Sequence, residues 1–150
     1  MAPEDEERST PDAMLVAVDF STCSMRALDT ALRWKPADGE VIVLHVVDTD
    51  VARRVERFGI GTYADTVEKM RAQAEEKMAD LVTQRGAGQF DTMIAQGVPF
   101  TEIYKIATDL DCNLIVMGKY GTGPEIADVL FGGTAEKVLR GARQPVLCVP

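Results

Sequence analysis

Apolar stretches of strand length alternate along the chain with segments of helical spacing, and this alternation constrains the fold more than any other feature. The first two apolar stretches are continuous, as is typical of strands covered on both faces. The expected strands are 13–18, 40–48, 90–96, 113–117 and 145–149. Four helices are expected between them: one that begins after Ser21 or Thr22, one over roughly 63–85, one that begins near Pro99 and one over about 134–142. This order predicts one α/β domain over residues 13–150, a doubly wound parallel sheet of five strands with helices on both faces.

Two segments fall outside the alternation. Residues 1–12 hold two prolines and five acidic groups with almost nothing to bury, which predicts a disordered acidic tail. Residues 49–62 are predicted to be irregular. Their arginines, Arg53, Arg54 and Arg57, fit either a lid over a site or a solvated face.

Charge and composition exclude several classes of function. A net charge of −8 argues against a surface for nucleic acid or anionic membranes. The longest mainly apolar runs fall far short of the ~20 residues that span a bilayer, so no membrane insertion is expected. The acidic N-terminus does not resemble a secretory signal. Three scattered cysteines predict reduced thiols and a cytoplasmic protein.

Glycines are concentrated after the fourth strand, at 118, 121, 123, 132 and 133, and Thr134 follows them at a helix start. Backbone N–H groups in such a loop, together with the positive end of the helix dipole, can face a phosphate. The same glycines also fit a surface loop that only turns. Asp19 ends the first strand, and it faces the loop if the two strands are neighbours at the switch point. Asp19 alone would be interpreted as a turn or helix-capping aspartate, and its pairing with the loop favours a role in binding.

Two common phosphate motifs are excluded. The residues after Gly118 lack the Gly-x4-Gly-Lys-Ser/Thr frame of a Walker-type loop. A dinucleotide fingerprint belongs to the first strand–helix turn, where this chain has Asp19-Phe20-Ser21-Thr22-Cys23.

Six short segments are spread over residues 13–149: VAVDFS at 16–21, VIVLHVVD at 41–48, GVP at 97–99, LIVMG at 114–118, AEKV at 135–138 and PVL at 145–147. Their order and spacing together are specific, and in them the chain resembles the universal stress protein family.

The resemblance implies a strand order of 3-2-1-4-5 and a homodimer formed through the last strand, at Val146, Leu147, Cys148 and Val149. It also implies ATP or another adenine nucleotide as ligand, with Mg²⁺ or Mn²⁺ held through the phosphates of a triphosphate. By position in the family's pattern, Asp19 binds the ribose, while Ala17, Val18, Val46 and Met117 line the base pocket. Gly118, Gly121, Gly132, Gly133 and Thr134 line the phosphates.

The glycine loop departs from the family's Gly-x2-Gly-x9-Gly-Ser/Thr pattern in two places. Ten residues separate Gly121 from Gly132, one more than the pattern has. Gly133 occupies the position of the family's Ser/Thr, so the hydroxyl is lost unless Thr134 supplies it. Gly123-Pro124 stiffens the middle of the loop. AMP and ADP are therefore credible ligands beside ATP.

Other polar residues leave alternatives open. His45 is interpreted as a hydrogen-bonded core histidine rather than a catalytic one. Cys23 is either a reactive thiol or a packed, inert cysteine. Lys119 and Tyr120 either contact phosphate or base, or are a solvated lysine and a packing tyrosine.

No nucleophile–base–orienter set can be assembled, so no catalytic residue is predicted. The favoured function is a cytoplasmic stress-response protein that binds an adenine nucleotide as a regulatory module. The alternatives are a slow metal-dependent ATPase and a nucleotide-free dimeric interaction protein.

Overall fold

A computed structural model of the protein describes residues 11–121 and 131–150. Each predicted strand and helix is present there, with ends within one residue of those expected. In chain order the elements are β1 (Ala13–Ala17), α1 (Thr22–Trp34), β2 (Glu40–Asp48), α2 (Thr49–Arg57), α3 (Tyr63–Arg85), β3 (Asp91–Gly97), α4 (Pro99–Asp109), β4 (Leu114–Gly118), α5 (Gly133–Gly141) and β5 (Val146–Val149).

The five strands form one parallel sheet in the order β3-β2-β1-β4-β5, which confirms the expected order and fold class. β1 is central and pairs with both β2 and β4. Its Val16 is opposite Val43 on one side and Val116 on the other. The chain therefore winds outward through β2 and β3, returns, and winds the other way through β4 and β5.

Helices cover both faces of the sheet because side chains alternate along each buried strand. Leu15 packs into a cluster that includes Ile103 of α4 and residues of α5. Its neighbour Val16 packs on the opposite face with Leu28 of α1 and Leu81 of α3. Both strand residues are fully buried, which accounts for the continuous apolar sequence of β1.

Short polar side chains set where the helices begin. Ser21 accepts a hydrogen bond from the Ser24 N–H at 3.3 Å and starts α1. Thr62 accepts from the Asp65 N–H at 3.1 Å and starts α3. Each side chain satisfies an N–H that has no partner within its helix.

The prediction that residues 49–62 are irregular is wrong, because they contain helix α2. Asp48 caps this helix by accepting from the Asp50 N–H at 2.9 Å. Ala52 is fully buried, and the helix packs against α3. Too few apolar residues mark a helical stripe in the sequence, so α2 depends on the packing that the fold provides.

Residues 1–10, most of the predicted acidic tail, lie outside the described residues. Asp12, at the end of that predicted tail, is tied to the sheet. Its carbonyl accepts from the Glu40 N–H at 2.7 Å, and its carboxylate accepts from the Asn113 side chain at 2.6 Å. Within the described ranges, no helix is both long enough and apolar enough to cross a membrane.

Candidate functional site

A crevice of about 570 Å³ lies at the carboxyl ends of β1 and β4. All ten residues that the sequence singles out as a candidate site line it, although they come from three strands, two loops and one helix start. These residues are Ala17, Val18, Asp19, Val46, Met117, Gly118, Gly121, Gly132, Gly133 and Thr134. The crevice is at the point where the winding of the sheet reverses, which is where open parallel sheets bind ligands.

Asp19 lines this crevice from a tight turn after β1. Its Oδ1 accepts from the Ser21 N–H at 3.0 Å, so the turn role expected for a lone aspartate is present. Its Oδ2 faces the glycine loop, because a Cβ added at Gly121 would lie 2.8 Å from that oxygen. The one carboxylate therefore both holds the turn and borders the loop.

Gly118, the last residue of β4, packs directly against the start of α1. A Cβ there would lie 2.8 Å from the Cys23 Cβ and 2.9 Å from the Ser24 nitrogen, closer than real contacts allow. Only glycine lets the strand end approach the helix backbone this closely. The buried Cys23 is thus in tight contact with the strand, in keeping with a packed cysteine.

Gly132 and Gly133 open helix α5 against the crevice. The Gly132 N–H donates to the Lys119 carbonyl at 2.8 Å, which ties the helix start to the end of β4. Among the described residues, no side-chain hydrogen bond caps α5. Because Gly132, Gly133 and Thr134 line the crevice, the first-turn amides of α5 and the positive end of its dipole border it.

The space around Gly133 does not require a glycine at this position. A Cβ added there meets nothing described within 4 Å. A serine side chain would fit, so the glycine reflects the sequence and not a steric limit of the fold. Thr134, the next residue, is exposed at the crevice rim.

His45 lines the crevice instead of being enclosed in the core, although it is hydrogen-bonded as expected. Its Nδ1 lies 2.8 Å from the Val18 carbonyl oxygen, and since a carbonyl only accepts, Nδ1 carries the proton. Burial lowers the pKa of His45, while the Val18 hydrogen bond and the Asp19 charge act the other way. The ring is therefore neutral at pH 7 and keeps Nε2 as an acceptor.

Phe20 is a residue whose backbone the sequence did not reveal. Its φ is +64°, a left-handed conformation that costs energy for a bulky side chain. Its ring lies 4.8 Å from that of His45, and the Lys77 ammonium is 5.5 Å from the ring centre. These contacts hold the strained residue directly beside Asp19. No sequence signal marks a phenylalanine at positive φ.

One side wall of the crevice is formed by residues that sequence reasoning missed, Val51 of α2 and Met70 of α3. The three arginines of α2 are not among the lining residues. Arg53 instead pairs with Asp50 at 3.2 Å, and both side chains are more than half exposed. The contacts therefore favour the solvated-face interpretation over a lid.

Apolar side chains, among them Val46 and Met117, line the crevice together with glycine backbone and the carboxylates of Asp19 and Asp48. This arrangement can hold a flat apolar ring at one end and an anionic group at the other. Residues 122–130, with Gly123-Pro124, lie outside the described residues. Among the described residues, no group of three or more His, Cys, Asp or Glu is placed to hold a metal ion.

Comparison with known proteins identifies a family. The model of the universal stress protein family matches residues 11–150. The chain is 30% identical to universal stress protein YxiE of Bacillus subtilis, with 91% of this chain and 97% of the relative covered. It is 29% identical to universal stress protein MJ0577 of Methanocaldococcus jannaschii, with 91% and 93% covered.

Solved structures agree. The structure of MJ0577 superposes with a TM-score of 0.79 at 30% identity, covering 93% of this chain and 96% of the other. A universal stress protein in complex with cAMP superposes with a TM-score of 0.58, covering 94% and 98%. At 22% identity, that second likeness shows the fold alone.

Proposed function

The chain belongs to the universal stress protein family, and we propose that it binds an adenine nucleotide in the crevice as a regulatory module of a cytoplasmic stress response. The observation that carries the proposal is the convergence of Asp19 and the glycine loop, about 100 residues apart in sequence, on one crevice at the switch point. Its volume of about 570 Å³ is within the range of small-molecule sites, roughly 300–1,000 Å³.

Each part of the nucleotide has a matching part of the crevice. The adenine fits the apolar end, beside Ala17, Val46 and Met117. The ribose hydroxyls donate to the carboxylate of Asp19. The phosphates lie along Gly118, Gly121, Gly132, Gly133 and Thr134, at the start of α5.

The glycines make room for this placement. Because a Cβ at Gly121 would meet the Asp19 carboxylate, a side chain at this position would fill the space between ribose and phosphate. A divalent cation, Mg²⁺ or Mn²⁺, would be held through the phosphate oxygens of a di- or triphosphate. Without a hydroxyl at Gly133, the site has less to distinguish a third phosphate, so ADP and AMP are ligands alongside ATP.

Calorimetric titration tests the proposal directly. We expect saturable heat with at least one of ATP, ADP, AMP and cAMP, measured with and without magnesium, and a matching rise in melting temperature. The absorbance ratio at 260 and 280 nm of the purified protein, with mass spectrometry of released ligand, reports nucleotide retained from the cell. No heat and no thermal shift with any nucleotide would refute the proposal and favour a nucleotide-free interaction protein.

We further propose that the protein dimerises through β5. This strand is an edge of the sheet and carries Val146, Leu147, Cys148 and Val149, all only half-buried. An apolar edge strand of this kind invites pairing with a second chain. Burial raises the pKa of Cys148, which keeps the thiol of this strand protonated at neutral pH.

Leu147→Lys tests the interface by placing a charge in the middle of the strand. We expect the variant to sediment as a monomer at concentrations where the native protein is a dimer. Leu110→Lys, at a 36% exposed leucine immediately after α4, is the matched control and should remain dimeric. A dimeric Leu147→Lys protein would place the interface elsewhere, and circular dichroism checks that both variants fold.

A further inference from the structure

Lys119 is held between two aromatic rings beside the glycine loop. Its ammonium nitrogen lies 5.4 Å from the ring centre of Tyr120 and 5.6 Å from that of Phe131. All three residues are half-buried, and both distances suit cation–π attraction. A freely solvated lysine would have no such pair of contacts, so this side chain is positioned.

The backbone of Lys119 is fixed as well. Its N–H donates to the Val149 carbonyl at 2.7 Å, and its carbonyl accepts from the Gly132 N–H at 2.8 Å. These bonds join the end of β4 to β5 on one side and to the start of α5 on the other. The lysine stem therefore starts from a rigid point on the rim where the phosphates are proposed to lie.

Lys119 differs from the other described lining residues in its charge. Among the described residues that line it, Lys119 is the only lysine or arginine, while Asp19 and Asp48 are both acidic. Of the described lining residues, a polyphosphate entering without a metal ion would meet two carboxylates and one ammonium. Gly133 adds no hydroxyl to offset that repulsion.

We propose that Lys119 is the residue that selects nucleotides with two or more phosphates and lowers their dependence on a divalent cation. This inference rests on the proposed nucleotide site. A charge-assisted hydrogen bond to phosphate is stronger than a cation–π contact at a half-exposed position, so a bound phosphate draws the ammonium from the rings. Tyr120 and Phe131 keep the ammonium close to that position beforehand, which reduces the entropy lost on binding.

Titrations of adenosine, AMP, ADP and ATP in EDTA test this role with Lys119→Met, which keeps the length and removes the charge. We expect a loss of about tenfold or more in affinity for ADP and ATP, the size of one charge-assisted hydrogen bond, with adenosine unchanged within about twofold. Added magnesium should recover part of the loss. Lys119→Arg should retain the preference for ADP over AMP.

Two further variants separate charge from position. Lys137 is not among the residues that line the crevice, and its ammonium nitrogen lies 5.0 Å from the ring centre of Phe100. Lys137→Met should leave the affinities for all four ligands unchanged. Phe131→Leu keeps the ammonium but removes one ring, and it should give a smaller loss for ADP and ATP in the same direction as Lys119→Met.

These titrations distinguish a failure of the role of Lys119 from a failure of the proposed nucleotide site. Equal affinities of native protein and Lys119→Met for ADP and ATP in EDTA would overturn the role of Lys119 while nucleotide binding stands. An equal loss for adenosine would also overturn it, because a general disturbance of the crevice would then explain the effect. If the native protein binds none of the four ligands, the nucleotide site and the role of Lys119 both fall.

Discussion

Gly118→Ala is expected to lower the free energy of unfolding by about 1–3 kcal/mol, the usual cost of forcing a group into a packed interior. The new methyl group would lie 2.8 Å from the Cys23 Cβ and 2.9 Å from the backbone of α1. Backbone atoms of a helix that packs on β4 cannot rotate away as a flexible side chain can. The strand and helix must separate, so the crevice should widen and its ligand affinity fall as well.

Gly133→Ala is the matched control, because it adds the same methyl group at another crevice glycine where nothing described lies within 4 Å. It should be neutral or stabilise the protein by about 0.4–1 kcal/mol, since alanine restricts the unfolded chain more than glycine. Urea unfolding followed by circular dichroism measures both variants. If Gly118→Ala is as stable as Gly133→Ala, the close approach of β4 to α1 is not a constraint on residue 118.

Asp19→Asn is expected to weaken adenosine binding by about tenfold or more, as for the loss of a hydrogen bond to a charged acceptor. Asparagine keeps an oxygen that accepts from the Ser21 N–H, so the turn after β1 should survive. Adenosine is the informative ligand, because with ATP the removal of a carboxylate also reduces repulsion of the phosphates and hides part of the loss.

Asp48→Asn is the control for charge alone. Asp48 is the other carboxylate of the crevice lining, and asparagine retains the cap that starts α2. We expect its adenosine affinity to match that of the native protein. Similar losses in both variants would mean that Asp19 acts through the overall field of the crevice and not through contact with the ribose.

Most of the fold could be predicted because the signals are local. Continuous apolar runs indicated the buried strands, and Ser21 and Pro99 indicated helix starts within one residue. Helix α2 could not be predicted in this way. Its residues are mainly charged and exposed, and its stability depends on Asp48 as a cap and on Ala52 buried against the rest of the fold.

The candidate site divides in the same manner. The family pattern selected ten positions, and the fold places all of them along one crevice. The pattern is silent on Phe20, whose left-handed backbone is held by contacts with His45 and Lys77. The pattern also could not decide whether Lys119 is solvated or contacts phosphate. The two rings that contact its ammonium belong to Tyr120 and Phe131, which residues 122–130 separate in the sequence.

The sequence by itself determined the five strands, the helices other than α2 and most of the buried residues, since hydrophobic spacing and capping act over a few residues. It also marked the glycines and the carboxylate of the site, by their position after the strands and by the family pattern. Tertiary structure decided how those residues meet. Asp19 faces Gly121 only because β1 pairs with β4, and Lys119 lies between Tyr120 and Phe131 only because α5 starts against the end of β4. Contacts between distant residues depend on strand order and packing, which no local pattern specifies.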